Sequence, residues 1–318
     1  MELITALITV LVCLTIFTFV FWMNRKSNEL DEIVEAADRG NREAQRTIME
    51  QYHHITPNDL AKIRKRIYLP KAEEGDNFAQ YQMGWYYWLF ENNPMQAEKW
   101  FIESANGGNV QAMKHLANGY SEGYNDSGIT TAPMGFGMDQ QKEQKWLLQA
   151  ASLGDEEAMC TVGKKYYCLK NYEVAENWLY RALKSKDCKI RMETFEYLGK
   201  IYGDMAIQEF YDEKKSKAMF LEAIQQRNLT GIETGTYDKD IFSDIASYLG
   251  EKYAGEYCRT HNNKALKNAV YCYAMSYYTG NEVAEKCIQN LPYQITESDK
   301  ALWKFDITSQ NFRLPFSE

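Results

Sequence analysis

Several things are scarce in this sequence. Proline occurs 6 times and glycine 19 times in 318 residues, and β-branched alternation is thin, so a turn-dense, strand-rich fold is not expected. Lys and Arg number 36 against 44 Asp and Glu, a formal net charge of -8. Without a basic surplus, nucleic acid is not an expected partner. The seven cysteines (Cys13, Cys160, Cys168, Cys188, Cys258, Cys272 and Cys287) form an odd count with no C-x-x-C pair. That argues against a disulfide framework and for reduced thiols packed as small hydrophobes. Only four histidines are present, His53, His54, His115 and His261. What is abundant is the opposite: 45% hydrophobic residues, with 23 Tyr, 14 Phe and 7 Trp. This mix reads as helical, with aromatics filling the gaps between helices.

Charge is missing altogether from Leu3 to Asn24, 22 residues in a row, and about 20 apolar residues span a bilayer as a helix. A signal peptide would carry a positive start and a small-residue cleavage site, whereas Glu2 is the only charged side chain before the run. Val12, before Cys13, is too large for a lipoprotein site. Residues 1–26 are therefore expected to be a single transmembrane anchor. Arg25, Lys26, Arg39 and Arg42 all follow it, which places the body in the cytoplasm by the positive-inside rule.

The body repeats itself. GDNFAQYQMGWYY from Gly75, GNVQAMKHLANGY from Gly108 and GDEEAMCTVGKKYY from Gly154 each open with Gly and then Asp or Asn. Each then places Ala (Ala79, Ala112, Ala158), an apolar residue (Met83, Leu116, Val162), a small residue (Gly84, Ala117, Gly163) and Tyr (Tyr87, Tyr120, Tyr166) at the same offsets. Echoes follow at Leu198-Gly199 with Tyr202 and at Leu249-Gly250 with Tyr253. Such spacing puts these residues on one stripe of a helix. A second helix precedes the Gly turns and carries Trp100, Trp146 and Trp178 five residues before Ala105, Ala151 and Leu183. Glycine inside a helix costs about 1 kcal/mol relative to Ala, so its recurrence implies that the backbones approach closely there, with a large ring filling the gap beside the small residue. Such a hairpin cannot bury its own apolar face and must stack on neighbours.

Ala79 to Tyr87, A-x-x-x-M-G-x-x-Y, followed by Ala97 to Gly108, A-x-x-W-x-x-x-S-A-x-x-G, resembles the Sel-1-like repeats, relatives of the tetratricopeptide solenoids, whose pattern is roughly A-x-x-L-G-x-x-Y followed by A-x-x-W-x-x-x-A-A-x-x-G. The resemblance covers about residues 71–290. It weakens after Cys188, where Lys184-Ser185-Lys186-Asp187 replaces the usual turn. It implies an all-α fold, a right-handed α-solenoid of helix-turn-helix repeats, here preceded by the single transmembrane helix. Successive small positions lie 33, 46, 36 and 51 residues apart, so residues 121–138 and 226–240 are expected to be inserted loops. Residues 27–70 form a helical lead-in containing a degenerate copy of the turn at Gly40-Asn41 and a helix start at Thr56-Pro57. Residues 291–318 form a cap and tail.

No catalytic constellation emerges. Gly119-Tyr120-Ser121-Glu122-Gly123 matches the G-x-S-x-G nucleophile pattern, which requires a strand before the Ser and a helix after it. Here the repeat places a helix before Ser121 and a loop after it. His53-His54 point about 100° apart on a helix and have no second ligand cluster. Gly135-Phe136-Gly137 lacks the Lys and hydroxyl of a phosphate loop. No cofactor and no metal site are expected, and an enzyme is the least supported class. The residue after each small position should face the groove of the array. These residues are Trp85, Asn118, Lys164, Lys200 and Glu251, with Trp88 one turn beyond Trp85. The protein-binding candidates are therefore Trp85, Trp88, Asn118, Lys164 and Lys200. The resemblance implies a scaffold or adaptor for a protein or peptide partner. A second reading is an immunity protein that neutralises a cognate toxin by direct binding.

Overall fold

At Gly75 the backbone enters the left-handed region, with φ 99°, which glycine adopts without strain. The N–H groups of Gly75 and Asp76 turn back to the carbonyls of Ala72 and Lys71 at 3.1 and 3.0 Å, closing the helix that precedes them. The Asp76 carboxylate then accepts from the Ala79 N–H at 2.7 Å and opens the helix that follows. Gly154-Asp155 is built the same way, with Asp155 accepting from Ala158 at 2.8 Å. The degenerate copy at Gly40-Asn41 has the same geometry, Asn41 accepting from Ala44 at 3.1 Å. The turns inside the hairpins use a non-glycine residue at positive φ followed by a capping Asn: Asn92 before Asn93, Lys170 before Asn171 and His261 before Asn262.

These turns separate the helices of the computed structural model, which describes residues 25–52, 54–121, 137–204, 209–230 and 236–309. In chain order they are α1 (25–38), α2 (Arg42–Gln51), α3 (Pro57–Glu73), α4 (Asn77–Leu89), α5 (Pro94–Asn106), α6 (Val110–Ser121), α7 (Gln140–Ser152), α8 (Glu156–Cys168), α9 (Tyr172–Ala182), α10 (Cys188–Gly203), α11 (Glu213–Thr230), α12 (Thr236–Thr260), α13 (Asn263–Tyr278), α14 (Glu282–Gln289) and α15 (Glu297–Ser309). Among the described residues there is no strand. None of the described helices is long and apolar enough to cross a membrane. The charge-free stretch 3–24, Cys13, His53, Gly135-Phe136 and the tail from 310 lie outside the described residues.

The chain divides into two compact units, Met1–Trp146 and Leu147–Glu318. In the first, α3 packs on α4, α4 on α5 and α5 on α6. The lead-in is tied down electrostatically. Asp31, Glu35 and Asp38 recur at helical spacing along α1 and meet Arg66, Lys71 and Arg64 of α3, with Lys71–Glu35 at 2.6 Å and Arg64–Asp38 at 2.5 Å. Tyr68, fully buried, donates to Asp38 at 3.1 Å.

In the second unit α8, α9 and α10 pack mutually, α10 pairs with α11 and α12 with α13. Phe220, Phe242, Leu249 and Tyr271 anchor its core. Trp303, 5% exposed, brings α15 onto that core.

Close approach at the small positions is borne out. A Cβ added at Gly84 would stand 2.5 Å from the Phe101 ring, at Gly163 2.6 Å from Leu179, at Gly199 2.8 Å from Phe220 and at Gly250 2.7 Å from Tyr273. The identity of the filler needs correcting. The side chain over the glycine is the one after the Trp position, Phe101 rather than Trp100 and Leu179 rather than Trp178. The adjacent Trp is turned about 100° away around its helix and is only half-buried. The insertion expected at 226–240 is also shorter than its polar composition implied, because α11 runs to Thr230 and α12 starts at Thr236. Of the other expected loop, 122–136 lie outside the described residues.

The pairing at Gly199 and Gly250 carries the repeat through the segment where the sequence resemblance fades. There Asp187 still caps α10, accepting from Lys189 at 2.7 Å. Ser185, whose N–H returns to Ala182 at 3.0 Å, stands in for the missing glycine.

Candidate functional site

In the second unit the residues following the small positions of α8 and α10 come together. Lys164 and Lys200 both lie against the ring of Tyr197, with their ammonium groups 5.6 and 4.7 Å from its centroid. Lys200 is also 5.0 Å from the ring of Tyr248 on α12. Lysine and tyrosine thus alternate across three helices, Lys164, Tyr197, Lys200, Tyr248. Cation–π pairs of this kind are worth about 0.5–2 kcal/mol each as they lose water. Tyr248 stacks in turn on Phe220, with ring planes 4° apart and centroids 5.6 Å apart, and Tyr167 meets Tyr197 edge-on at 5.3 Å.

Each lysine of this ladder has a carboxylate beside it. Lys164 pairs with Glu193 at 2.8 Å and Lys200 with Glu196 at 2.5 Å. Burial pulls both ammonium groups toward neutrality, but the adjacent carboxylates outweigh it and raise both pKa values. Glu196, 4% exposed, is itself raised by burial, with Lys200 opposing. Burial likewise pushes the Tyr167 phenol up to about 12.

Beside the ladder opens a cavity of about 280 Å³ between α8, α10, α11 and α12, lined among others by Tyr167, Phe220, Tyr248, Asp204, Glu251 and Lys252. Lys252 reaches from α12 to donate to the carbonyl of Gly203 at the end of α10, one of the carbonyls a helix terminus leaves open. Ser216 of α11 donates to the Gly199 carbonyl at 2.7 Å. The last turn of α10 is therefore held from two neighbouring helices.

The other candidates belong to the first unit. Trp85 is half-buried, packed at 4.6 Å on His115 and 5.8 Å on Phe101. Trp88 is 5% exposed and packs on the same two rings at 5.5 and 6.3 Å. Trp88 is thus part of the core. It sits against α5 and α6 because the Gly84 gap draws Phe101 inward and the indole fills the space beside that ring. Asn118 is exposed on α6. Ser121 is the last residue of α6, so no strand leads into it. His115, six residues before it, is buried among Trp85, Trp88 and Phe101.

Tyr197 and Tyr248 were not among the sequence candidates, although a signal for them exists. Each lies two residues before a small position, three before the groove residue Lys200 or Glu251, and i,i+3 residues share a helix face. A second recurring contact also went unread. Tyr120 donates to Glu98, with Lys142 4.9 Å from the ring and 3.9 Å from the carboxylate. Tyr202 donates to Glu176, with Lys215 at 3.7 and 3.8 Å. The repeat tyrosine thus joins the preceding hairpin to the second helix of its own.

No family model matches the chain, and no curated protein matches it. Solved structures do, two Sel1-type repeat proteins among them. A Sel1 repeat protein from Oxalobacter formigenes superposes with a TM-score of 0.50 at 17% identity, over 89% of this chain and 97% of that one. A protective antigen present in uropathogenic Escherichia coli strains, displaying an SLR fold, gives a TM-score of 0.52 at 16% identity over 89% of this chain. The chain spans about half of that antigen, 56% of its length. At such identities the likeness establishes the fold alone: an all-helical repeat architecture like that of these two structures.

Proposed function

We propose that the chain is a scaffold or adaptor whose α8–α10–α12 face takes a protein or peptide partner, held at a membrane by residues 3–24. The observation that carries this reading is the ladder of Lys164, Tyr197, Lys200 and Tyr248 beside an open cavity. It combines rigid rings, aliphatic stems and charge in the way that interface hot spots do, and repeat folds use extended surfaces of this kind for binding. Trp85 and Asn118 are the corresponding contacts proposed for the first unit. The reading assigns no catalytic role and no cofactor. A second reading, an immunity protein acting on a cationic toxin, draws support from the net charge of -8, because opposite charge speeds encounter.

The test is crosslinking capture from the native host with the full chain in detergent, comparing wild type with Lys164→Ala/Tyr197→Ala. Loss of a specific captured protein, with helicity unchanged by circular dichroism, supports the face; undiminished capture removes it. For the anchor, a C-terminal tag should resist external protease in intact cells. Digestion of that tag would overturn a cytoplasmic body.

A further inference from the structure

The charged groups around the α8–α12 cavity are unequally satisfied. Lys200 is held by Glu196 at 2.5 Å, and Lys252 donates to the Gly203 carbonyl. An anion entering the cavity would have to displace one of these contacts. Glu251 stands differently. It lines the cavity, is exposed to solvent, and makes no hydrogen bond or ion pair among the described residues. Asp244 of the same helix, also exposed, makes none either. Asp244, Tyr248 and Glu251 lie at i, i+4 and i+7, on one face of α12. The protein packed against its cavity side partly desolvates the Glu251 carboxyl and raises its pKa, with Lys252 opposing. A carboxylate in that position is stabilised by an incoming cation.

We propose that the cavity receives an arginine side chain of a protein partner, its guanidinium on Glu251 and its methylene stem along Tyr167 and Tyr248. The volume of about 280 Å³ lies just below the range for drug-sized ligands, about 300–1,000 Å³, and suits one long side chain. Arginine fits better than lysine because its planar fork meets a carboxylate through two parallel hydrogen bonds and is more weakly hydrated. Its stem can lie on apolar walls while its head stays at the mouth. The inference rests on the binding role proposed above and specifies the chemistry the partner must bring.

The probe is a capped five-residue peptide with one arginine between glycines, titrated by NMR into the full isotope-labelled chain in detergent. Companion peptides replace the arginine with citrulline, which keeps the shape and loses the charge, or with glutamate. Citrulline should weaken binding at least tenfold and glutamate should abolish it. Glu251→Gln, at a side chain that makes no hydrogen bond or ion pair among the described residues, should weaken the arginine peptide about tenfold. Glu297→Gln on α15, whose side chain is 88% exposed, should leave it unchanged. Equal binding of the citrulline peptide, stronger binding of the glutamate peptide, or an unaltered Glu251→Gln affinity would overturn the proposal. If capture of a partner still depends on Lys164 and Tyr197 while the arginine peptide fails, only the arginine assignment falls.

Discussion

The ring of Phe101 lies over Gly84 so closely that a Cβ on that glycine would stand 2.5 Å from Cε1. The contact has opposing consequences for Gly84→Ala. Alanine favours the helix by about 1 kcal/mol, but overpacking of this kind costs about 1–3 kcal/mol, and Phe101, fully buried, has little room to retreat. The variant should unfold at lower urea concentration than wild type. Adding Phe101→Leu should recover part of the loss relative to the sum of the two single changes. Strictly additive midpoints would show that the two residues are not coupled.

Trp85 and Trp88 share partners but not exposure. Truncating a buried aromatic side chain costs about 3–5 kcal/mol, so Trp88→Ala should lower the thermal midpoint sharply. Trp85→Ala, at a half-buried ring, should lower it less. Differential scanning calorimetry on both variants decides, and equal losses would place Trp85 as deep in the core as Trp88.

The six cysteines among the described residues are free, and they differ in reach. Cys168 and Cys258 are exposed, whereas Cys160 and Cys272 are buried. Burial pushes the Cys160 thiol up to about 11 and also raises Cys272. Because the thiolate is the reactive form, brief treatment with a maleimide should modify Cys168 and Cys258 and spare Cys160 and Cys272. Peptide mass spectrometry reads the result, and early modification of Cys272 would contradict its placement.

The lead-in supplies a pH-dependent contribution. The Glu35 carboxyl is held below its ordinary value of 4.5, chiefly by the hydrogen bond from Lys71, against some desolvation, with Arg39 adding to the effect. A carboxylate whose folded pKa is depressed stabilises the fold above the unfolded pKa, and that contribution is lost as pH falls through the folded value. Glu35→Gln should therefore cost about 1 kcal/mol or less near neutral pH, the range for partly exposed pairs. The difference from wild type should shrink as pH drops below 4.5. Urea midpoints from pH 7 to 3 measure it, and a gap that widens toward acid would reverse the sign argued here.

How far the fold could be read from the residues depended on which signals are local. Gly75-Asp76 and Gly154-Asp155 announce their turns because a positive φ and a side-chain cap leave few other choices of residue. Gly84, Gly163, Gly199 and Gly250 announced a close approach because glycine inside a helix is otherwise costly. Which neighbour fills each gap was not legible. Trp100 and Phe101 are both large and adjacent, and only the rotation of α5 against α4 selects the second. The polar run after Gln225 resembled a loop because composition does not separate it from a solvated helix. Of the candidate site, Lys164 and Lys200 followed from repeat position. Tyr197 and Tyr248 stayed hidden among 23 tyrosines until α8, α10 and α12 were seen side by side.

The keyhole glycines also bear on how such a chain could be cut and rejoined. Each glycine and its filler sit within a single hairpin, and the four pairs use three kinds of key: phenylalanine twice, leucine and tyrosine. Recombination at the turns between hairpins would move every lock together with its key. A crossover inside a hairpin would pair a glycine with another hairpin's filler, so exchange of modules is confined by geometry to the junctions that Gly75, Gly108 and Gly154 mark.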